Sequence, residues 1–187
     1  MILGLDISTS CTGFCVVNES GEPVHFSNVD LTCEKNFFEK VRRVKSHMVG
    51  IMLEYPIRQI AVEDHLTSFK RGRSSSSTLF KLAKFNGIIQ WLCYSDLDIE
   101  AYPINVNNAR KINNIVVLSK KKTPVSTKDQ VLVQVKEIIG ESFVFPTKIL
   151  KSGPRKGLEV NEKSAYDMAD AFVIAKAMWV EKNKNKA

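Results

Sequence analysis

Several features are missing from this chain of 187 residues. No run of about 18 apolar residues occurs, which excludes a membrane-spanning helix. Cys11, Cys15, Cys33 and Cys93 form no Cys-x-x-Cys pair, and His25, His47 and His65 stand at no zinc-finger spacing. The cysteines therefore read as free, mostly buried thiols in a reducing compartment. The N-terminus, MILGLDIS, has no basic n-region, no cleavage site and no Arg/Ser-rich presequence. Met1 runs straight into what reads as a core strand, so no removable leader and a cytoplasmic location are expected. Internal repeats are absent, and no composition break divides the chain. Residues 1–181 read as a single domain and 182–187 as a frayed tail.

The residues that are present describe a globular protein. Hydrophobic residues make up 44% and charged residues 25%, a balance that excludes disorder. A chain of this length buries roughly 70% of its unfolded surface and needs no disulfide or metal to fold. Lys and Arg number 27 against 20 Asp and Glu, a net charge of +7 that favours a polyanionic partner.

Hydrophobic patterning gives the order of elements. MILGLDI (1–7) is a short apolar run ending in an acid, as in a buried strand. STSCTG is a tight turn rich in hydroxyls, FCVVN (14–18) a second strand, and VHFSNVDL (24–31) an alternating third. Phe37, Val41, Val44, Met48 and Ile51 mark a helical stripe across 36–54, ended by Pro56. RQIAVED (58–64) is a fourth strand. FKRGRSSSS (69–77) predicts a mobile basic loop, and TLFKLAKFNGIIQWLC (78–93) a strong helix. Its internal Gly87 is unfavourable by about 1 kcal/mol against Ala, which points to close packing against another backbone. DLDIEAYPI (96–104) is a fifth strand, 105–127 an irregular basic stretch, 126–139 a helix stopped by Gly140, and 146–160 a basic loop. A last helix spans about Ser164 to Trp179. Three antiparallel strands followed by α/β crossovers give an α/β fold: a mixed five-stranded sheet with helices on both faces and strand 1 central.

Four acids stand out against this background. Asp6 interrupts an apolar strand, Glu63 ends another, and Asp167 and Asp170 lie three apart on one face of the last helix. A buried acid is unfavourable unless it is paired or binds a cation. Ligands of open α/β sheets bind at the carboxyl ends of the strands. The four acids can converge there on two hard divalent cations, an arrangement suited to in-line attack on phosphodiesters. Each acid also has a plainer explanation. Asp6 can serve a turn, Glu63 can pair with an arginine, and Asp167 can complete a capping box with Ser164. The last helix is apolar nearly all round, however, so its aspartates are not a solvated face.

The spacing of Asp6, Glu63, Asp167 and Asp170 resembles that of RuvC-type Holliday-junction resolvases, nucleases of the RNase H-like superfamily. GLDISTSCTGFCVV resembles that family's first two strands, AVEDHL its fourth strand, TLFKLAKFNGIIQWL its long helix, KDQV its lysine-bearing helix start and YDMADAFVIAKA its last helix. The resemblance implies an RNase H-like fold, a homodimer, and magnesium-dependent paired symmetric nicking of four-way DNA junctions. It implies two Mg²⁺ per site, with Mn²⁺ as a substitute, held by Asp6, Glu63, Asp167 and Asp170. It also implies roles for Lys128 and for Lys111. Where the family has an aromatic residue three positions after the second acid, this chain has Leu66; Phe69, three residues later, is a candidate substitute, and the wedge stays open between the two. The helix 78–93 is the expected dimer interface.

The remaining basic residues suit phosphate contacts, which position a duplex without reading its sequence. Lys70, Arg71 and Arg73 follow Glu63 closely, and Lys120, Lys121, Lys122, Lys148, Lys151, Arg155 and Lys156 lie on later loops. His65, two residues from Glu63, is a candidate for approaching the scissile phosphate. Other functions stay open on sequence alone. DISTSCTG also resembles the phosphate-binding turn of actin-like and sugar kinases, but those proteins clamp nucleotide between two such domains. An RNA-processing nuclease of the same superfamily and a non-catalytic nucleic-acid binder are the alternatives of greater weight.

Overall fold

The computed structural model describes residues 1–64 and 76–184. Alternation decides the sheet. In β1 (Ile2–Asp6), Leu3 and Leu5 turn to one face, while Ile2 and Gly4 turn to the other. β2 (Cys11–Val17) and β3 (Pro23–Asp30) follow as antiparallel neighbours, with a register shift between Val16 and Val17. β4 (Gln59–Glu63) and β5 (Ala101–Ile104) join the other side of β1 in parallel. The order is β3-β2-β1-β4-β5, so β1 is central as its sequence predicts.

Helices cover both faces. α1 (Phe37–Glu54) buries Val41, Val44, Met48 and Ile51, the stripe read from the sequence, and Asn36 caps it by accepting from the Phe38 and Glu39 amides. α2 (Ser76–Leu97) packs beside it through Phe85, Ile89 and Leu92. On the opposite face, α5 (Lys163–Lys184) lies across β1 and β2, flanked by α3 (Val106–Ile112) and α4 (Thr127–Ile139).

Two glycines make this close approach possible. A Cβ on Gly4 would stand 2.2 Å from the Ala171 carbonyl oxygen, and one on Gly13 would stand 2.2 Å from that of Asp167. No side chain fits at either place, so α5 rests on bare strand backbone.

Several boundaries differ from the sequence reading. β2 starts at Cys11, inside the expected turn, and not at Phe14. α2 continues to Leu97 and Asp98 turns the chain with φ 52°, so the fifth strand is only Ala101–Ile104. Residues 105–127 are not all irregular: Asn105 accepts from the Asn107 and Asn108 amides and starts α3. A run rich in asparagine reads as a turn, yet one of those asparagines is a cap. The 146–160 loop is a separate antiparallel hairpin of β6 (Thr147–Ile149) and β7 (Glu159–Asn161), whose strands are too short to show a period. α5 stays helical to Lys184, past the expected start of fraying. Gly87 is not packed closely against another backbone: among the described residues, an added Cβ there meets no atom within 4 Å. Among the described residues, no helix is long and apolar enough to cross a membrane.

Candidate active site

Register brings the first two acids together. Leu5 pairs with Val62 across the parallel β1–β4 ladder, so the next rung holds Asp6 and Glu63. One residue past Leu5 and Val62, both carboxylates turn to the α5 face. Asp6 also pairs with Gly13 on β2, and it is over Gly13 that the Asp167 backbone lies. Asp170, one turn on, is buried and completes the group. Asp6, Glu63, Asp167 and Asp170 thus line one cavity of about 1080 Å³.

Two cations answer these acids. Lys128 donates from Nζ to Asp167 Oδ1 at 3.2 Å, and Arg110 from Nη2 to Asp170 Oδ1 at 3.2 Å. Lys128 sits in the first turn of α4, where the helix dipole disfavours a cation, so its position is explained by the acids and not by the helix. Ser126 caps that turn by accepting from the Asp129 amide, and the Tyr166 hydroxyl donates to Asp129 at 2.6 Å, tying the starts of α4 and α5 together. Asn113 holds α3 against α5 by donating to the Val173 carbonyl at 2.7 Å. Asn86, buried on α2, donates to the Glu63 carbonyl at 3.3 Å and fixes the end of β4.

The electrostatics remain unbalanced. Four carboxylates face two cations, an excess of two negative charges if all ionise. Burial holds Asp6 well above the usual carboxylate range, and the Glu63, Asp170 and Asp167 carboxylates push it further. Glu63 and Asp170 are raised by burial as well, and Arg110 offsets part of that for both. Burial pulls Lys128 down, but Asp167, Asp6 and Asp170 outweigh it and its ammonium is held. Cys11, at the cavity wall, is pushed up to about 12 by burial and by Asp167, so it stays a thiol.

The donor set fits hard divalent cations: oxygen ligands only, with negative charge in excess of the protein's own cations. Asp6, Glu63, Asp167 and Asp170 would hold them. Among the described residues no three metal-capable side chains are already closed into a ligand cage.

Other sequence-predicted residues fall elsewhere. Lys111 is exposed on the last turn of α3, and its neighbour Arg110 is the cation that reaches the acids. Lys120, Lys121 and Lys122 form an exposed turn and do not line the cavity. Lys148 does line it, as do Thr127 and Lys163, which the sequence reading did not single out as site residues. Ser164 lies inside α5, and Asp167 meets Lys128 instead of capping the helix start. Of the cysteines, Cys15 and Cys93 are buried, Cys11 partly so, and Cys33 is exposed; all four are free. His65, Leu66, Phe69, Lys70, Arg71 and Arg73 lie outside the described residues.

No protein-family model and no curated protein sequence matches the chain. Solved structures do. Thermus thermophilus RuvC in complex with a Holliday junction substrate superposes with a TM-score of 0.64 at 17% identity, covering 100% of this chain and 96% of that one. A second T. thermophilus RuvC structure gives 0.57 at 16% identity, covering 98% and 96%. The yeast mitochondrial Holliday junction resolvase Ydc2 gives 0.57 at 15% identity, covering 98% and 80%. With its central β1, its mixed five-stranded sheet and its closing helix laid across β1 and β2, the chain has the RNase H-like fold of RuvC-type Holliday-junction resolvases.

Proposed function

We propose that this protein is a magnesium-dependent, structure-selective endonuclease that cuts four-way or other branched DNA junctions by paired symmetric nicks. The observation that carries this reading is the gathering of Asp6, Glu63, Asp167 and Asp170 in one open cavity with Lys128 at its edge. Bound Mg²⁺, two ions per site with Mn²⁺ as a substitute, would supply Lewis-acid stabilisation of the attacking and leaving oxygens of an in-line phosphodiester hydrolysis. The four carboxylates would be the ligands. Lys128 holds a positive charge beside Asp167 and stabilises the extra negative charge that the phosphorus centre develops. Arg110 keeps Asp170 oriented.

Phosphate contacts supply affinity and carboxylates supply chemistry, so the two separate experimentally. Asp6→Asn and Asp170→Asn are expected to abolish Mg²⁺-dependent cleavage of a synthetic four-way junction while junction binding stays within a few-fold. Cleavage retained in either variant overturns the assignment. Running the junction beside its linear duplex arms and a structured RNA separates a junction nuclease from an RNA-processing one.

The paired nicks call for a twofold dimer, because a four-way junction has near-twofold symmetry. The outer side of α2 supports this part of the proposal: Phe80, Trp91 and Tyr94 are 68%, 61% and 67% exposed, and Gly87 between them is open to close approach. Light scattering is expected to report a dimer that Gly87→Leu weakens, with loss of coincident second-strand nicking. A monomer that still nicks in pairs argues decisively against this interface.

A further inference from the structure

We propose that the β6–β7 hairpin is a nucleic-acid-gripping arm that holds the sugar–phosphate backbone beside the acid cleft; the inference rests on the nuclease reading for the identity of the chain it grips. Bound metal would neutralise the four carboxylates at the reacting phosphate only; the phosphates on either side of it need cations outside the cluster. The hairpin supplies them. Lys148 on β6 and Lys163 just after β7 line the same cavity as the acids, together with Pro146 and Glu162. From Pro146 to Lys163 the chain carries five cations (Lys148, Lys151, Arg155, Lys156 and Lys163) against two acids (Glu159 and Glu162), a balance of +3.

The hairpin has little part in holding the fold. It is a sheet of its own, and none of residues 147–161 belongs to either hydrophobic cluster among the described residues. It is nonetheless well built. Leu150 donates to the Leu158 carbonyl at 3.0 Å and Gly157 to the Leu150 carbonyl at 2.8 Å, which extends the ladder one rung. Gly153 and Gly157, at φ 81° and 89°, turn the tip in a backbone conformation that other residues avoid.

Pairing assigns the faces. Lys148 opposes Val160, and Leu150 opposes Leu158, so these four share one side of the ribbon. Lys148 lines the cleft, which turns that side toward it. Leu158 is 55% exposed there, without a protein surface to cover it among the described residues. A solvated loop explains the lysines of the tip, and exposed apolar side chains stand on both sides of the ribbon, Leu158 on one and Ile149, 65% exposed, on the other. A solvated loop does not explain a lysine in the wall of an acid cavity. A two-stranded ribbon fits a duplex groove, with Lys and Arg on the phosphates and apolar side chains against sugars and base edges.

The test is a binding titration by fluorescence anisotropy, in EDTA so that nothing is cut, on a labelled four-way junction across a KCl series. The variant is Lys148→Gln/Lys151→Gln/Arg155→Gln/Lys156→Gln, checked for fold by circular dichroism. A second variant replaces residues 150–158 with an Asn-Gly turn, which keeps β6 and β7 joined. The slope of log K against log salt is expected to fall by about 0.9 for each phosphate contact removed, with affinity at low salt down by roughly tenfold or more. A folded quadruple variant with wild-type slope and affinity overturns the arm, as does wild-type binding by the shortened hairpin. Cleavage by the unmodified protein in Mg²⁺ is scored separately. If it cuts the junction while the variants bind as wild type, the arm fails and the nuclease reading stands. If it cuts no nucleic acid while the variants lose salt-dependent binding, the nuclease reading fails and the arm stands.

Discussion

At its C-terminal end, α5 is tied to the β2–β3 turn by contacts that are all favourable. The Trp179 ring packs on Gly21, and its indole N–H donates to the Glu19 carbonyl at 2.8 Å. Lys176 donates to the Gly21 carbonyl at 2.8 Å, pairs with Glu22, and lies 4.6 Å from the centre of the Trp179 ring. At its N-terminal end the same helix presses Asp167 and Asp170 onto Asp6 and Glu63, three of them raised from their usual carboxylate range chiefly by burial. One end is held by complementary partners. The other gathers four carboxylates, and the fit of backbone on Gly4 and Gly13, the Lys128 and Arg110 contacts to its aspartates and the Tyr166–Asp129 hydrogen bond hold it there. A helix anchored well at one end can carry an unfavourable cluster at the other, and that is the expected balance where a site is built for chemistry at the expense of stability.

The largest effect should come from removing the fit that holds the strained end. Gly13→Ala puts a Cβ 2.2 Å from the Asp167 carbonyl oxygen, against backbone that cannot swing away. It is expected to destabilise by about 3 kcal/mol in urea unfolding and to abolish cleavage, since α5 must lift from Asp6. A stable, active Gly13→Ala protein would show that the backbone contact does not set the site.

Breaking the anchored end should hurt less and differently. Trp179→Ala removes a half-buried ring with its hydrogen bond and is expected to lower stability by about 2 kcal/mol. Because Trp179 is twelve residues along the helix from Asp167, the folded fraction should cleave at close to the wild-type rate. A matching loss of cleavage in the folded protein would mean the two ends are coupled.

The smallest effect has the opposite sign. Asp6→Asn replaces a buried carboxyl crowded by three others with a neutral amide that can donate to Glu63. In EDTA its melting temperature is expected to rise, by the equivalent of about 1 kcal/mol, while cleavage is lost. Thermal unfolding of the two proteins side by side decides it; a drop in stability would mean that Asp6 holds the fold together.

What the sequence could disclose follows from how each feature is written in it. Asp6, Glu63, Asp167 and Asp170 were legible because each breaks a local apolar pattern. The α1 stripe and the central place of β1 were legible because period and order are local properties. Arg110 was not, because nothing nearby distinguishes it from Lys111; the packing of α3, pinned by Asn113 to Val173, decides which of the two reaches the acids. The hairpin was hidden by its three-residue strands and by cations that mask alternation. The roles of Gly4 and Gly13 had a signal that could have found them, since a glycine inside a strand often marks close backbone approach.

The laying of α5 across β1 and β2 also orders events in time. Asp6 and Asp170 are separated by 164 positions, so their meeting is among the most non-local contacts the chain makes. During synthesis β1, β2 and β4 emerge long before α5, and until that helix docks, the acid group is only half assembled. By the nuclease reading, a partly made chain then cuts no nucleic acid. Catalytic competence arrives together with the closing of the core, and not before it.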